Sequence, residues 1–359
     1  MTTFRNYQQL QSQVIDFIRF PLIVGVVFIH NSTSAVVVRG VEMGTDIANL
    51  PVFYYCSDFF SQVFSRIAVP LFFFTSGFLF FLYVEKFDKL SYKTKLQSRI
   101  KTLLVPYIFW NTITIAFFYL FKTIGIMTTP MVENNILKYF WDAGGSFHLP
   151  ISYQFWFIRD LIIAVILTPI IYFLCKKTKI YGVILIGMLW FLGFWFKMTG
   201  FSSVCTFFFT AGAYFGINKR NLLEDFDKIK NLSLVLYPLI ALVDLLTKTY
   251  TFNCYIHKLG IVIGIVFCFN LVTILFEKGK IKPTSFLSAA SFFVFAIHEP
   301  FLLGNLKKIS FQLLKPETDF AITALYFLNV ITTIFIALVL YYVLKRTLPK
   351  FTAVITGGR

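Results

Sequence analysis

Apolar residues fall in long runs, separated by short polar segments that are mostly basic. Ten runs approach the length that carries an α-helix through hydrocarbon, about 20 residues at 1.5 Å each. They are Gln13–Val38, Arg66–Val84, Leu103–Phe121, Phe155–Cys175, Ile180–Lys197, Phe201–Asn218, Leu232–Thr247, Tyr255–Phe276, Phe286–Asn305 and Phe320–Leu344. Only Met198 to Gly200 separate the fifth and sixth, which predicts a tight helical hairpin. No internal repeat and no Gly/Ser/Pro-rich linker interrupts the pattern. The expectation is an all-α, polytopic membrane bundle of about ten transmembrane helices, one domain over residues 1–359.

The segments between runs orient this bundle. The two termini and the segments after even-numbered runs hold 21 Lys and Arg, including Arg5, Lys86, Lys89, Lys93, Lys95, Arg99, Lys101 and Arg359. The other side holds ten, among them Arg39, Arg66, Lys248, Lys307 and Lys308. The positive-inside rule then predicts both termini in the cytoplasm.

Composition supports the membrane reading. Charged residues are 14% of the chain, against about 25% in soluble domains. A net charge of +16 could suggest nucleic acid, but its distribution is a topology signal with anionic headgroups as partners. No nucleic-acid partner is expected. The N-terminus is polar (Gln8, Gln9, Gln11, Gln13) and the first apolar run has no small-residue cleavage site behind it, so no cleavable signal is expected. The five cysteines are scattered without CxxC spacing or a His/Cys cluster, which predicts neither a metal site nor a disulfide framework; Cys56 and Cys254 fall in loops on one side.

Against this background a few polar residues stand out. Arg19 and His30 lie in the first run, eleven residues apart. That is about three turns, so both project from nearly one face, roughly 16 Å apart along the axis. Asp16 precedes Arg19 by a turn. Arg19 alone fits a side chain that snorkels to the interface, and His30 alone fits a neutral packing histidine. Their shared face favours a joint task, because an intramembrane charge is costly and normally faces the protein interior.

Arg66 sits at the outer mouth of the second run, whose Thr75, Ser76 and Gly77 allow close helix approach. The strongest basic cluster, Lys86 to Lys101, leads into the third run. The long outer loop from Lys122 to Gln154 holds Gly144, Gly145 and His148, and reads as a cap over an outward cavity. Trp156, Arg159 and Asp160 follow it. Helix neighbours point about 100° apart, so Arg159 and Asp160 are expected to reach other helices rather than each other. Asp244 and Lys248 read as a structural i,i+4 pair. His298 and Glu299 lie in the outer half of the ninth run, the glutamate either pairing a cation or facing the interface.

By depth these form two groups. Asp16, Arg19, Arg99 and Lys101 lie on the cytoplasmic side, where guanidinium groups suit a phosphorylated donor. His30, Arg66, Trp156, Arg159, Asp160, His298 and Glu299 lie on the outer side, where an imidazole suits removal of a hydroxyl proton. The residues permit acyl transfer across the membrane without demanding it.

The chain also resembles the acyltransferase-3 family of integral membrane acyltransferases. That family's signature is an Arg, ten intervening residues, then a His, usually opened by an Asp three residues before the Arg. Asp16, Arg19 and His30 match it. The Pro70-to-Ser76-Gly77 stretch, the basic entry Ser98–Tyr107, Trp156-Phe157 and His298-Glu299-Pro300 resemble further family features. Many members carry a second Arg three residues after the Arg at position 99; here Thr102 stands there, beside Lys101.

The resemblance implies transfer of an acyl group, often acetyl from acetyl-CoA, onto hydroxyls of cell-envelope glycans, in a bacterial-type plasma membrane. It implies His30 as catalytic base or transient acyl carrier, with Asp16 counted beside it as catalytic, and Arg19 and Arg99, with Lys101, on the donor side. The competing reading is a transporter or flippase for an anionic or lipid-linked glycan, using the charged interior as its path. It would be expected to show inverted repeats or matched broken helices, and the sequence displays neither.

Overall fold

The computed structural model describes residues 7–38, 41–124, 135–144 and 147–358. Arg5, Arg39, Gly145, Arg359 and part of the long 122–154 loop lie outside the described residues. In chain order, α1 spans Tyr7–Asn31, strands β1 and β2 span Ala35–Val38 and Val41–Gly44, and α2 spans Pro51–Phe81. Helices α3 (Lys89–Thr123), α4 (Lys138–Trp141), α5 (Trp156–Ile166), α6 (Thr168–Thr178), α7 (Ile180–Leu192) and α8 (Ser203–Ile217) follow. The rest are α9 (Leu222–Asp227), α10 (Lys230–Leu246), α11 (Asn253–Glu277), α12 (Ser285–Leu314), α13 (Asp319–Thr347) and α14 (Pro349–Ile355).

The protein is a helical membrane bundle. Among the described residues six helices, α1, α2, α3, α11, α12 and α13, are long and apolar enough to cross a membrane, and the bent α5–α6 pair, taken as one span, makes a seventh. The other three expected spans fall on α7, α8 and α10, of 13, 15 and 17 residues. At 1.5 Å per residue these are about 20–26 Å long, short of about 30 Å of hydrocarbon. Leu232, Val235 and Leu239 of α10, and Ile331 and Phe335 of α13, are exposed large apolar residues. Such surface belongs against lipid tails, and helices satisfy their backbone groups there internally.

Several boundaries differ from the apolar-run reading for local reasons. The first span ends at Asn31, not Val38. Ser32, Thr33 and Ser34 interrupt it, and the β-branched Val36–Val38 stretch pairs antiparallel with β2. Valines 36 and 38 then bury against Leu50, Phe53, Ile322 and Tyr326. The basic segment read as a loop is the first part of α3. Asp88 and Ser91 form a reciprocal capping box, 2.9 Å in each direction, and start a helix that runs unbroken into the third span. The fourth span bends by 63° at Leu167, where Pro169 removes a backbone donor. The α7–α8 connection is longer than a tight hairpin, because Gly193 stops α7 in the left-handed conformation (φ 79°).

The chain forms two compact units. Unit 1 comprises Met1–Phe72 and Lys219–Val339; unit 2 comprises Phe73–Asn218 and Leu340–Arg359. In unit 1, α1 is the central helix. It packs on the 58–67 part of α2, on α11 and on the first half of α12. Asp319, at the start of α13, accepts bonds from the Val52 and Phe53 amides at 2.7 and 2.8 Å, capping the start of α2.

In unit 2, α8 is central, packed on α5, α6 and α7. Its Gly212 and Gly216 lie four residues apart and face the 73–81 end of α2. A Cβ at Gly212 would sit 1.8 Å from the Phe74 carbonyl oxygen, and one at Gly77 would sit 2.1 Å from the Phe209 carbonyl oxygen. No side chain fits, so backbone meets backbone, the small-residue packing that replaces the hydrophobic effect inside lipid. Gly212→Ala is expected to cost at least about 1–3 kcal/mol by overpacking. Gly260→Ala, where the nearest atom is the Ile240 Cγ2 at 3.2 Å, is expected to cost less. Thermal unfolding of the purified variants checks this; equal losses at both positions would contradict the backbone seam.

Candidate functional site

The described site residues divide between the units. Asp16, Arg19, His30, Arg66, His298 and Glu299 belong to unit 1, whereas Arg99, Lys101, Trp156, Arg159 and Asp160 belong to unit 2.

In unit 1 a single helix, α1, carries Asp16, Arg19 and His30. Arg19 Nη1 pairs with Asp16 Oδ1 at 2.8 Å, and both side chains are about four-tenths exposed. Asp16 is fourteen residues from His30, about 21 Å along the helix axis, and its partner is Arg19. His30 occupies the last turn of α1, half-buried.

Beside His30 lies the break in α12. Pro300 has no N–H to give and disfavours helical geometry in the residue before it. Glu299 is accordingly extended (φ −132°, ψ 147°), and the Glu299–Pro300 peptide is cis. His298 sits at this break, fully buried. Its ring centroid is 5.2 Å from that of His30. Its Nδ1 lies 2.7 Å from the Phe295 carbonyl oxygen. A carbonyl only accepts, so Nδ1 carries the proton and Nε2 presents a lone pair. Nε2 is buried without a hydrogen-bond partner among the described residues.

Two cations complete this group. Lys307 donates to the Asn31 and Ser32 carbonyls at 3.3 and 3.4 Å, immediately beyond His30. Arg66 donates through Nε to Gln62 Oε1 at 3.0 Å, and Nη2 bonds the same oxygen. Both act electrostatically on His30. An irregular stretch of α2, with wide turns over Asp58–Phe64 and a tight one over Ser65–Ile67, brings Gln62 and Arg66 here. Two imidazoles between two cations can take up a hydroxyl proton and stabilise an oxyanion.

Sequence reasoning counted Lys307 only as a loop charge and passed over Asp58, Gln62 and His257. Asp58 acts electrostatically on Arg66. His257 Nδ1 lies 2.8 Å from Asp244 Oδ2, while Lys248 reaches Asp244 Oδ1, also at 2.8 Å. The Asp244–Lys248 pair was legible. Its histidine thirteen residues on was not, since only the folded α10–α11 turn brings it back.

In unit 2, Arg99 ends the first regular stretch of α3, half-buried, and Lys101 is exposed. The ring centroid of Trp156 lies 6.3 Å from that of Phe73. Arg159 and Asp160 are buried and do pair with each other: Nε and Nη2 of Arg159 each lie 3.2 Å from Asp160 Oδ1. The long guanidinium arm folds across the angle between adjacent helix positions. Each also reaches another element. Arg159 Nη1 donates to the Trp141 and His148 carbonyls at 2.6 and 2.8 Å, and Asp160 Oδ2 accepts from the Ser202 amide at 3.3 Å. The 141–149 stretch has its own cap. Burial pushes the Asp142 carboxyl up, but bonds from the His148 ring and the Gly144 amide outweigh it and hold the group below its ordinary value.

The acyltransferase-3 family model, an acyltransferase domain, matches residues 13–346, nearly the whole chain. No curated protein and no solved structure matches the chain.

Arg159→Ala strands the buried Asp160 carboxylate and frees two carbonyls. Breaking such a pair is expected to cost about 3–5 kcal/mol, with faster amide exchange around Trp141 and His148. Unchanged melting and unchanged exchange would show that the pair does not hold this segment.

Proposed function

The chain belongs to the acyltransferase-3 family and is an integral membrane acyltransferase, and we propose that it moves an acyl group, acetyl by preference, from cytoplasmic acyl-CoA to a hydroxyl of an extracytoplasmic, cell-envelope glycan. The observation that carries this reading is the close approach of the His30 ring to the buried His298 ring, centroids 5.2 Å apart, with Arg66 and Lys307 acting on the same position. The transporter reading has no observation of equal weight.

In this mechanism His30 takes the proton of the acceptor hydroxyl as its oxygen attacks the thioester carbonyl. Negative charge collects on the former carbonyl oxygen, where Arg66 and Lys307 stabilise it. The C–S bond breaks, the acyl group stays on the acceptor oxygen, and His30 returns the proton to the departing coenzyme A thiolate. A two-step variant passes the acyl group through the His30 ring. The His298 tautomer supports this role for His30, since its Nε2 lone pair can accept a hydrogen bond from an imidazole N–H and steady the ring. Glu299 lies close enough to Lys307 to interact with it electrostatically, balancing that cation.

Donor handling is assigned to the basic side. Arg19 in unit 1, and Arg99 with Lys101 in unit 2, are each assigned to the donor phosphates, and both termini to the cytoplasm. Arg19 lies about 16 Å from His30 on the same helix, a distance that an extended thioester arm can cover. Trp156, Arg159 and Asp160 of unit 2 are assigned to the acceptor, as are Arg66, His298 and Glu299 of unit 1. Asp16 orients Arg19 through their 2.8 Å ion pair.

His30→Ala is expected to abolish transfer of labelled acetyl from acetyl-CoA in vesicles while donor binding persists. Transfer at near wild-type rate would remove His30 from the chemistry and leave His298 as the base. Arg99→Ala is expected to weaken acetyl-CoA binding by about tenfold or more, the order of one lost charge-assisted bond of about 1.5–3 kcal/mol. Arg19→Lys is expected to keep only part of the affinity, because the bidentate fork is lost. Unaltered donor affinity in Arg99→Ala and Arg19→Ala would refute the donor assignment.

A further inference from the structure

Unit 1 contains an open cavity of about 420 Å³, whose lining includes Gln62, Arg66, Lys248, Asn253, Cys254 and His257. That volume is within the range of small-ligand sites, about 300–1,000 Å³. Its lining is chemically one-sided. Arg66 and Lys248 bring cationic N–H donors to it, the His257 ring lies with them, and no carboxylate is among the lining residues.

The acids stand behind the wall. Asp244 is almost fully buried and binds three of the lining residues at once. Oδ1 accepts from Lys248 Nζ at 2.8 Å and from Asn253 Nδ2 at 2.9 Å, and Oδ2 lies 2.8 Å from His257 Nδ1. A carboxylate in that place fixes the donors without occupying the cavity, and so lowers the cost of ordering them on a ligand. With its Nδ1 turned to Asp244, His257 has its other nitrogen left for a ligand.

Arg66 is the more telling member. Its guanidinium hydrogen-bonds the neutral Gln62 amide oxygen and forms no ion pair among the described residues, while the Asp58 carboxylate acts on it electrostatically without bonding it. A half-buried guanidinium fork whose hydrogen-bonded partner is neutral suits an oxyanion, which it can bind in bidentate fashion. Arg66 also acts electrostatically on His30. An anion seated in this cavity therefore lies next to the position where the proposed chemistry happens.

We propose that this cavity seats a negatively charged group, a carboxylate or a phosphate, carried by the acyl acceptor. This rests on the acyl-transfer reading and narrows it: the acceptor is an acidic glycan or one on a phosphate-bearing carrier. Coenzyme A also carries phosphates, and the test separates the two sources.

Cys254 is exposed and lines the cavity, so it is a built-in reporter. The full-length chain in detergent is alkylated with iodoacetamide, and the rate at Cys254 is read by peptide mass spectrometry at constant ionic strength. Inorganic phosphate at about ten times its Kd is expected to slow Cys254 about tenfold. Acetyl-CoA at concentrations that saturate turnover is expected to leave the rate unchanged. Lys248→Met is expected to lose the phosphate protection, and Lys248→Arg to keep it. No slowing by phosphate, or protection that survives in Lys248→Met, overturns the site. Equal protection by acetyl-CoA overturns the acceptor assignment. A failure of the acyl-transfer reading shows up separately, as absence of acetyl-CoA turnover by the wild-type chain.

Discussion

The hydrogen bond from His298 Nδ1 to the Phe295 carbonyl sets the terms for the rest of unit 1. A buried imidazole in an apolar bundle must place its proton somewhere, and leaving a donor unsatisfied there is costly. Giving that proton to a carbonyl of its own helix fixes tautomer and ring plane together. It also leaves the second nitrogen with a lone pair and no partner among the described residues. The break at Glu299–Pro300 is what allows this histidine to sit where a regular helix would carry on. The cations follow: Lys307 ties the other half of α12 to the carbonyls that end α1. Two helix ends and one histidine thus form a single polar knot around His30.

Much of this was legible. Arg19 and His30 were expected to share a helix, since the stretch between them is continuously apolar, and α1 carries both. The helical class followed from the same runs. What could not be read were choices that depend on partners. Val36–Val38 looks like the end of a transmembrane run, and only a neighbouring strand and the Leu50–Phe53–Tyr326 cluster make it a hairpin. Asp58 and His257 looked ordinary because their importance lies in contacts between helices. Arg159 and Asp160 were expected apart on angular grounds, but a long guanidinium arm is not bound by the direction of its Cα–Cβ bond.

Two buried carboxylates of unit 1 share one design. Each is set beside a cation that it balances: Asp244 holds Lys248 and His257, and Glu299 acts on Lys307. An apolar bundle cannot afford bare charge, and a balancing acid beside each cation meets that demand.

The glycine seam of unit 2 has a mechanical consequence. Gly212 and Gly216 receive the Phe74 and Phe78 carbonyls, two notches spaced four residues apart, while Gly77 receives the Phe209 carbonyl. Sliding one helix along the other by a single residue would drive a side chain into a carbonyl. The next matching register is four residues away, about 6 Å along the axis. This pair therefore behaves like a ratchet with widely spaced teeth: gradual shear is forbidden, and any rearrangement within the unit must pivot at another joint, such as the 63° bend at Leu167.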